Sequence, residues 1–406
     1  MAGSNLIKFQ RPEVLRELTF GNLMILLQKF ADYFKMVHFT FDGCTEENFD
    51  YEALSRILAD RMFVGEFSEV FAAFGLIGAM SSDSRADTLR EYIDKQSYAN
   101  EVTEKMTTAD LALLVYLHDP VALNDIDVQF NATKKRSFAM RGTKRDLSGL
   151  VVSKENIAEF QRLMNEVFSQ RHRGNTARIY PPTEEGDDLY IIVRHGDSFK
   201  RQGAVADGPK SMTLAFQPES FDLLVINRKN SELRICVPSS PAWLEDAYAG
   251  NLSKALFNNY VEFSEKRNNN LARIKELGRN VTIYRGEAEV KRIDLVRLSL
   301  TYSPDSMMPV QFSATDGDLF KDFESARCKL ENMGTIFEAQ FAVKIGCREK
   351  IITLKNNNRS GYDYDEFGVV VDEWLRSVGI IQVLKTQMET KHVEGIDAVG
   401  PIALAM

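Results

Sequence analysis

The sequence predicts a mixed α+β protein (α/β in the broad sense) with a helical N-terminal third followed by β-rich mixed modules. Before about residue 128, apolar side chains recur at helical spacing, whereas later segments contain many short apolar runs between polar turns. Of the 406 residues, 44% are apolar and 27% are charged. These are ordinary values for a globular chain, so there is enough apolar material to bury a large core.

The first third reads as a series of amphipathic helices. Pro12 suits a first helical position, and leucines follow at near-helical spacing between Leu15 and Leu27. Residues 107–110 resemble a capping box, and the helix that they begin is expected to end near Pro120. The same amphipathic pattern recurs over residues 49–62 and 83–98.

Later elements alternate between strands and helices. In the middle third we predict one or two strands in 128–145, a helix from Ser153 to before Gly174, a strand over 188–194, a hairpin of 221–227 with 231–237, and a helix from about Pro241. In the last third we predict strands over 281–285, 290–300, 337–345 and 350–354, and helices over 318–332 and 363–378.

The changes in pattern suggest three domains and a tail. The predicted ranges are a helical domain over 1–128, a mixed α/β domain with a central hairpin over 129–265, an α/β domain over 266–388 and a poorly ordered tail over 389–406. The second boundary is suggested by the polar run that begins at Lys266.

Several classes of protein are disfavoured by simple patterns. The sequence contains no run of 18 or more apolar residues, so a membrane-spanning helix is not predicted. The N-terminus lacks the basic-then-apolar form of a secretory signal. We therefore expect a cytoplasmic protein without a membrane partner. The four cysteines are far apart, and no glycine-rich phosphate loop occurs, so neither a Cys-x-x-Cys site nor a P-loop is predicted.

Charge is distributed unevenly along the chain. The net charge is −8, but the balance is −12 over residues 42–130, +6 over 131–175 and +5 over 266–297. Such asymmetry indicates either an anionic partner for the basic segments or domains that dock through opposite charges.

One candidate catalytic set lies in the predicted hairpin. Asp222, Glu232 and Arg234 resemble the PD-(D/E)xK nuclease pattern in their spacing, and the resemblance implies two carboxylates that converge on Mg²⁺ beside a basic side chain. Arg234 stands where the family has lysine, and arginine orients phosphate without acting as a base. The alternative is a surface hairpin with a solvated Glu–Arg pair. Apart from this magnesium ion, no cofactor is predicted.

A second candidate follows the predicted strand at 188–194. Arg194, His195 and Gly196 resemble the phosphate pocket of the histidine phosphatase superfamily. The resemblance implies that His195 accepts a phosphoryl group and that Arg194 holds the phosphate. The second histidine that this family uses could only be His392, in the tail. The alternative is a strand end with a turn at Gly196.

A basic segment is the third candidate. Six cations and one aromatic side chain lie within twelve residues and could grip a phosphate backbone while the ring stacks on a base. They are Lys134, Lys135, Arg136, Phe138, Arg141, Lys144 and Arg145. The alternative is a basic hairpin that faces the acidic helical third, or a sheet edge protected by charge.

No candidate set assembles into a complete reaction centre at this level. The order of segments, carried by residues 107–138 and 218–235, resembles uncharacterised bacterial proteins. The leading hypothesis is a non-catalytic or weakly catalytic scaffold in a bacterial multi-protein system, with other proteins as partners. Such a system could handle nucleic acid, as in antiphage defence. A metal-dependent nuclease is the first alternative, and a histidine-phosphatase-like phosphohydrolase is the second.

Overall fold

A computed structural model describes residues 6–60, 68–133, 137–205, 211–237, 242–266, 269–302, 309–357, 359–362 and 366–381. Within these ranges the chain has the expected mixed α+β class, with helices in the N-terminal part and strands later. No described helix is both long and apolar enough to cross a membrane. The predicted tail over 389–406 lies outside the described residues.

The helices and strands are numbered in chain order. The helices are α1 (Pro12–Arg16), α2 (Phe20–Lys29), α3 (Ala31–Met36), α4 (Tyr51–Asp60), α5 (Ser68–Met80), α6 (Ala86–Ile93), α7 (Thr108–His118), α8 (Pro120–Thr133), α9 (Lys154–Gln170), α10 (Ala242–Phe257), α11 (Ala272–Leu277), α12 (Leu319–Ser325) and α13 (Glu366–Ser377). The strands are β1 (Ser137–Gly142), β2 (Arg178–Ile179), β3 (Thr183–Glu185), β4 (Asp188–Gly196), β5 (Lys200–Val205), β6 (Ser211–Phe216), β7 (Glu219–Asn227), β8 (Glu232–Cys236), β9 (Glu265–Lys266), β10 (Val290–Thr301), β11 (Val310–Ser313), β12 (Thr335–Ile345), β13 (Arg348–Lys355) and β14 (Arg359–Gly361).

The chain divides into two compact units. Unit 1 comprises residues 1–134 and 199–218, and unit 2 comprises residues 135–198 and 219–406. Strands from both sides of the boundary expected near 265 join one sheet in unit 2. Hydrophobic patterns show where strands lie but not which strands pair, so this continuity was not visible in the sequence.

Unit 1 contains α1 to α8 and the β5–β6 hairpin. The predicted capping box is confirmed, since the Thr107 hydroxyl accepts from the Asp110 amide and the Asp110 carboxylate accepts from the Thr107 amide. In the core, aromatic rings meet edge to face, as between Phe9 and Phe74 at 5.5 Å. The strand expected from residue 128 is wrong in its first part, because α8 continues to Thr133 and β1 begins at Ser137.

Unit 2 is built on a single antiparallel sheet of twelve described strands. Its order is β11-β10-β12-β13-β14-β1-β8-β7-β4-β2, with β3 beside β4 and β9 beside β1. The predicted hairpin is confirmed as β7 and β8, which pair from Leu223 with Cys236 to Asn227 with Glu232. The strand expected over 281–285 is wrong, because residues Gly278–Thr282 form a 3-10 helix and 283–285 belong to no strand.

Helices cover opposite faces of the two halves of this sheet. On β1, Ala139 packs into the core under α9 and α10, whereas its neighbour Met140 packs into the core that contains α11, α12 and α13. Successive strand residues point to opposite faces, so the two cores lie on opposite sides of one sheet. Trp374 of α13 meets Phe341 of β12 edge to face at 5.1 Å, which seats α13 on its side of the sheet.

Candidate functional site

A cluster of buried charges lies where α13 crosses β4 and β8, and we call it the Arg234 network. Arg234 is at its centre on β8, with only 1% of its surface exposed. Its guanidinium lies 3.3 Å from Asp372 of α13, 3.5 Å from Glu232 on its own strand and 3.7 Å from Asp188 of β4. The register explains this grouping, because Glu232 pairs with Asn227, which in turn pairs with Asp188. All these side chains therefore lie on the same face of the sheet.

Arg376 completes the Arg234 network from the next turn of α13. Its Nη2 lies 2.6 Å from Glu232, and its Nε lies 2.8 Å from Asp372. Two neutral groups add further hydrogen bonds: Tyr362 donates to Asp372 at 3.0 Å, and Asn227 donates to Asp188 at 2.7 Å. Three carboxylates and two guanidinium groups therefore neutralise most of one another's charge inside the fold, as buried charges require.

The two aspartates of the Arg234 network differ in electrostatic environment. Burial tends to raise the pKa of Asp372, but the charges of Arg234 and Arg376 outweigh it and hold the pKa below its ordinary value. For Asp188, burial dominates the attraction of Arg234, so its pKa is raised. Asp372 is thus the well-paired carboxylate, while Asp188 is incompletely compensated.

A second buried group lies on the opposite face, under α9 and α10, and we call it the His195 network. His195 Nε2 lies 2.9 Å from Asp222 Oδ2, and the Tyr248 hydroxyl donates to the same oxygen at 2.8 Å. The Phe168 ring stacks on the imidazole with centroids 4.4 Å apart. All four residues are at least 97% buried. The His195 network joins β4 and β7 of the sheet to both helices.

The contacts of the His195 network define what it can do chemically. His195 Nδ1 lies 2.8 Å from the Gly196 carbonyl, so both ring nitrogens face acceptor oxygens. Burial and the Asp222 charge raise the pKa of Tyr248 well above its usual value, which keeps the phenol as a donor. Asp222 Oδ1 is buried and has no hydrogen-bond partner among the described residues. His195 and Tyr248 therefore hold the Asp222 carboxylate in a fixed position, and the surrounding side chains enclose all three groups.

The proposed nuclease residues are only partly brought together. Glu232 and Arg234 are in contact, but Asp222 lies five positions along β7 from the residue that pairs with Glu232. At 3.4 Å per residue this is a separation of about 17 Å, and the side chains point to opposite faces. The three residues therefore do not form one magnesium site. Nor do any three described His, Cys, Asp or Glu side chains form a group that could hold a metal ion.

The proposed phosphatase pair is divided by the same alternation of side chains. Arg194 is partly exposed and pairs with Glu219 of β7, whereas His195 is buried with Asp222 on the other face. His392 lies outside the described residues. Within the part of the chain that the structure describes, His195 is therefore joined to a residue of the proposed nuclease set and not to Arg194.

The basic segment also separates into different environments. Lys134, Lys135 and Arg136 lie outside the described residues, and Lys144 and Arg145 are exposed. Phe138 and Arg141 are 3% and 2% exposed on β1, near the middle of the sheet, so neither can stack on a base or grip a phosphate. Arg141 binds Asp246 of α10 at 2.5 Å instead. Phe138 is therefore a buried apolar residue of a central strand, and Arg141 is a buried cation paired with a helix.

Sequence reasoning missed six polar residues of these networks: Asp188, Asn227, Tyr248, Tyr362, Asp372 and Arg376. Only Asp372 and Arg376 gave a local signal, since they stand four apart on a helical face and can pair there. No family model matches this sequence, and no curated protein matches it either.

Proposed function

We propose that this chain is a non-catalytic interaction component of a bacterial multi-protein system, such as one that handles nucleic acid in antiphage defence. The observation that carries the proposal is the use of the candidate catalytic charges as internal ties. Glu232 and Arg234 join β8 to α13, and Asp222 joins β7 to α10. Because these charged groups are paired with one another inside the fold, they make the framework rigid and are not available to bind a substrate.

An exposed aromatic pair supports a role in association. Phe199 and Phe216 are 64% and 41% exposed at the start of the β5–β6 hairpin, where Lys200 pairs with Phe216. Arg201 and Gln202 continue the exposed strand. Exposed aromatic side chains beside cations are typical of binding surfaces, where aromatic and arginine anchors carry much of the affinity.

Co-expression with the proteins encoded by neighbouring genes tests this proposal. We expect at least one of them to form a stable complex with the full chain, measured by size-exclusion chromatography with light scattering. The Phe199→Ser/Phe216→Ser double variant should bind at least about tenfold more weakly, as expected for removal of interface anchors.

The matched control is Val151→Ser, which changes an apolar side chain that is 80% exposed on unit 2. This variant should bind like the wild type. A full chain that remains monomeric and binds neither the neighbour-encoded proteins nor DNA nor RNA would overturn the proposal.

A further inference from the structure

An acidic cavity of about 500 Å³ lies beside the Arg234 network in unit 2. Its walls come from the β3–β4 turn, the β7–β8 turn and α13. The volume lies within the range of ordinary ligand sites. Its lining includes five carboxylates, those of Glu185, Asp187, Asp188, Asp372 and Glu373. Only two cations, Lys229 and Arg376, line the same cavity, so the cavity attracts a positively charged group.

Asp188 is the carboxylate that most needs a further partner. Its side chain is only 10% exposed, and it lines the cavity. Oδ1 accepts from Asn227 and lies 3.7 Å from Arg234, whereas Oδ2 accepts no hydrogen bond from the described residues. A mostly buried carboxylate with one free oxygen is stabilised by a donor that carries positive charge.

The chemistry of the cavity favours an organic cation on an alkyl stem. The described carboxylates do not form a group that could hold a metal ion. Val369, which is 52% exposed, supplies an apolar wall against which a stem can pack. At the rim, Glu185 and Asp187 are exposed and have no side-chain hydrogen bond with described residues, so their charges remain available.

Lys229 distinguishes a polypeptide from a simple amine. Its side chain lines the cavity and is exposed. A peptide carries carbonyl oxygens that can accept from this ammonium group, whereas a polyamine carries only donors. A guanidinium also matches carboxylates with two parallel donors, which an ammonium does not.

We propose that this cavity receives an arginine side chain of a partner polypeptide. This inference rests on the proposed role in association and names the chemistry of one contact. The free oxygen of Asp188 and the rim carboxylates accept from the guanidinium, and Val369 packs against its stem. The cation that enters the cavity therefore belongs to a protein and not to a free polyamine.

The direct test is a titration of the full chain with acetyl-Gly-Arg-Gly-amide, followed by NMR chemical shifts. A ligand of this size that makes a few charge-assisted hydrogen bonds should bind with a Kd of roughly 1 mM. The matched peptide with citrulline, a neutral isostere of arginine, should bind at least about tenfold more weakly, because it cannot make charge-assisted bonds. The lysine peptide and spermidine should both be weaker than the arginine peptide. Equal binding of citrulline or stronger binding of spermidine would overturn the proposal.

Variants that preserve the size of each side chain locate the site. Glu185→Gln/Asp187→Asn removes two rim charges and should weaken arginine binding at least about threefold, since the attraction between exposed charges is modest. Asp188→Asn should weaken it further. Glu331→Gln, an exposed change elsewhere in unit 2, should leave it unchanged. Unaltered binding in both rim and Asp188 variants would contradict the assigned cavity.

The same rim variant separates this inference from the proposed function. If a neighbour-encoded partner binds the wild type and the rim variant equally well, the arginine contact is wrong and the role in association stands. If the arginine peptide binds at the cavity but no neighbour-encoded protein associates, the site stands and the proposed function fails.

Discussion

Replacement of Arg234 with alanine is expected to lower the free energy of unfolding by about 3–5 kcal/mol, the usual cost of removing one partner from a buried ion pair. Asp188 would lose the guanidinium that lies 3.7 Å from it, and Asp372 and Glu232 would each lose one of the two guanidinium groups that they contact. The side chains concerned are 90% to 100% buried, so water cannot replace the lost charge. Equilibrium unfolding in urea, followed by far-UV circular dichroism, measures the loss.

Arg194 provides a matched control for this prediction. It lies on β4, which is separated from β8 by β7 in the sheet, with 41% of its side chain exposed, and it forms an ion pair with Glu219. Arg194→Ala should therefore cost less than about 1 kcal/mol, as is typical of surface pairs. A similar small loss for Arg234→Ala would show that the Arg234 network contributes little to the fold.

Replacement of Asp222 with alanine is expected to cost about 3 kcal/mol, because two buried donors would lose their acceptor. Tyr248 and His195 both bind Asp222 Oδ2, and neither can reach water in place of it. Asp222→Asn retains one acceptor oxygen, so its loss should be smaller. Thermal and urea unfolding of the wild type, Asp222→Asn and Asp222→Ala should show stability decreasing in that order.

The control for the His195 network is Glu219→Gln on the same strand. Glu219 is 45% exposed, and we expect a change below about 1 kcal/mol. If Asp222→Ala is no less stable than Glu219→Gln, and instead abolishes a measurable magnesium-dependent cleavage of nucleic acid, then Asp222 acts in catalysis and the structural role given to it here is wrong.

Parts of the fold could be predicted because local chemistry determines them. The capping box at Thr107, the helix from Ser153 and the β7–β8 hairpin follow from patterns within a few residues. The sheet that runs through unit 2 could not be predicted, because β1 pairs with both β8 and β14, which are distant in sequence. Pairing at such separations leaves no local periodic signal.

For a related reason, only some residues of the candidate site could be predicted from the sequence. Asp222, Glu232 and His195 were singled out because short stretches around them resemble motifs of known families, but residue spacing does not reveal which face of the sheet each one occupies. Their partners Tyr248, Asp372 and Arg376 lie on helices that reach the strands only in the folded chain. Phe138 was taken for a stacking residue because cations surround it, although a central strand buries it.

The claim that the candidate catalytic charges are paired as structural ties is tested most directly by a double-mutant cycle. Glu232→Gln, Arg376→Gln and the double variant isolate the pair whose Oε2 and Nη2 lie 2.6 Å apart. From urea unfolding we expect an interaction energy of about 1.5–3 kcal/mol, as for buried contacts that couple strongly. Losses that add to within about 0.5 kcal/mol would show that the two charges act independently and would contradict the account.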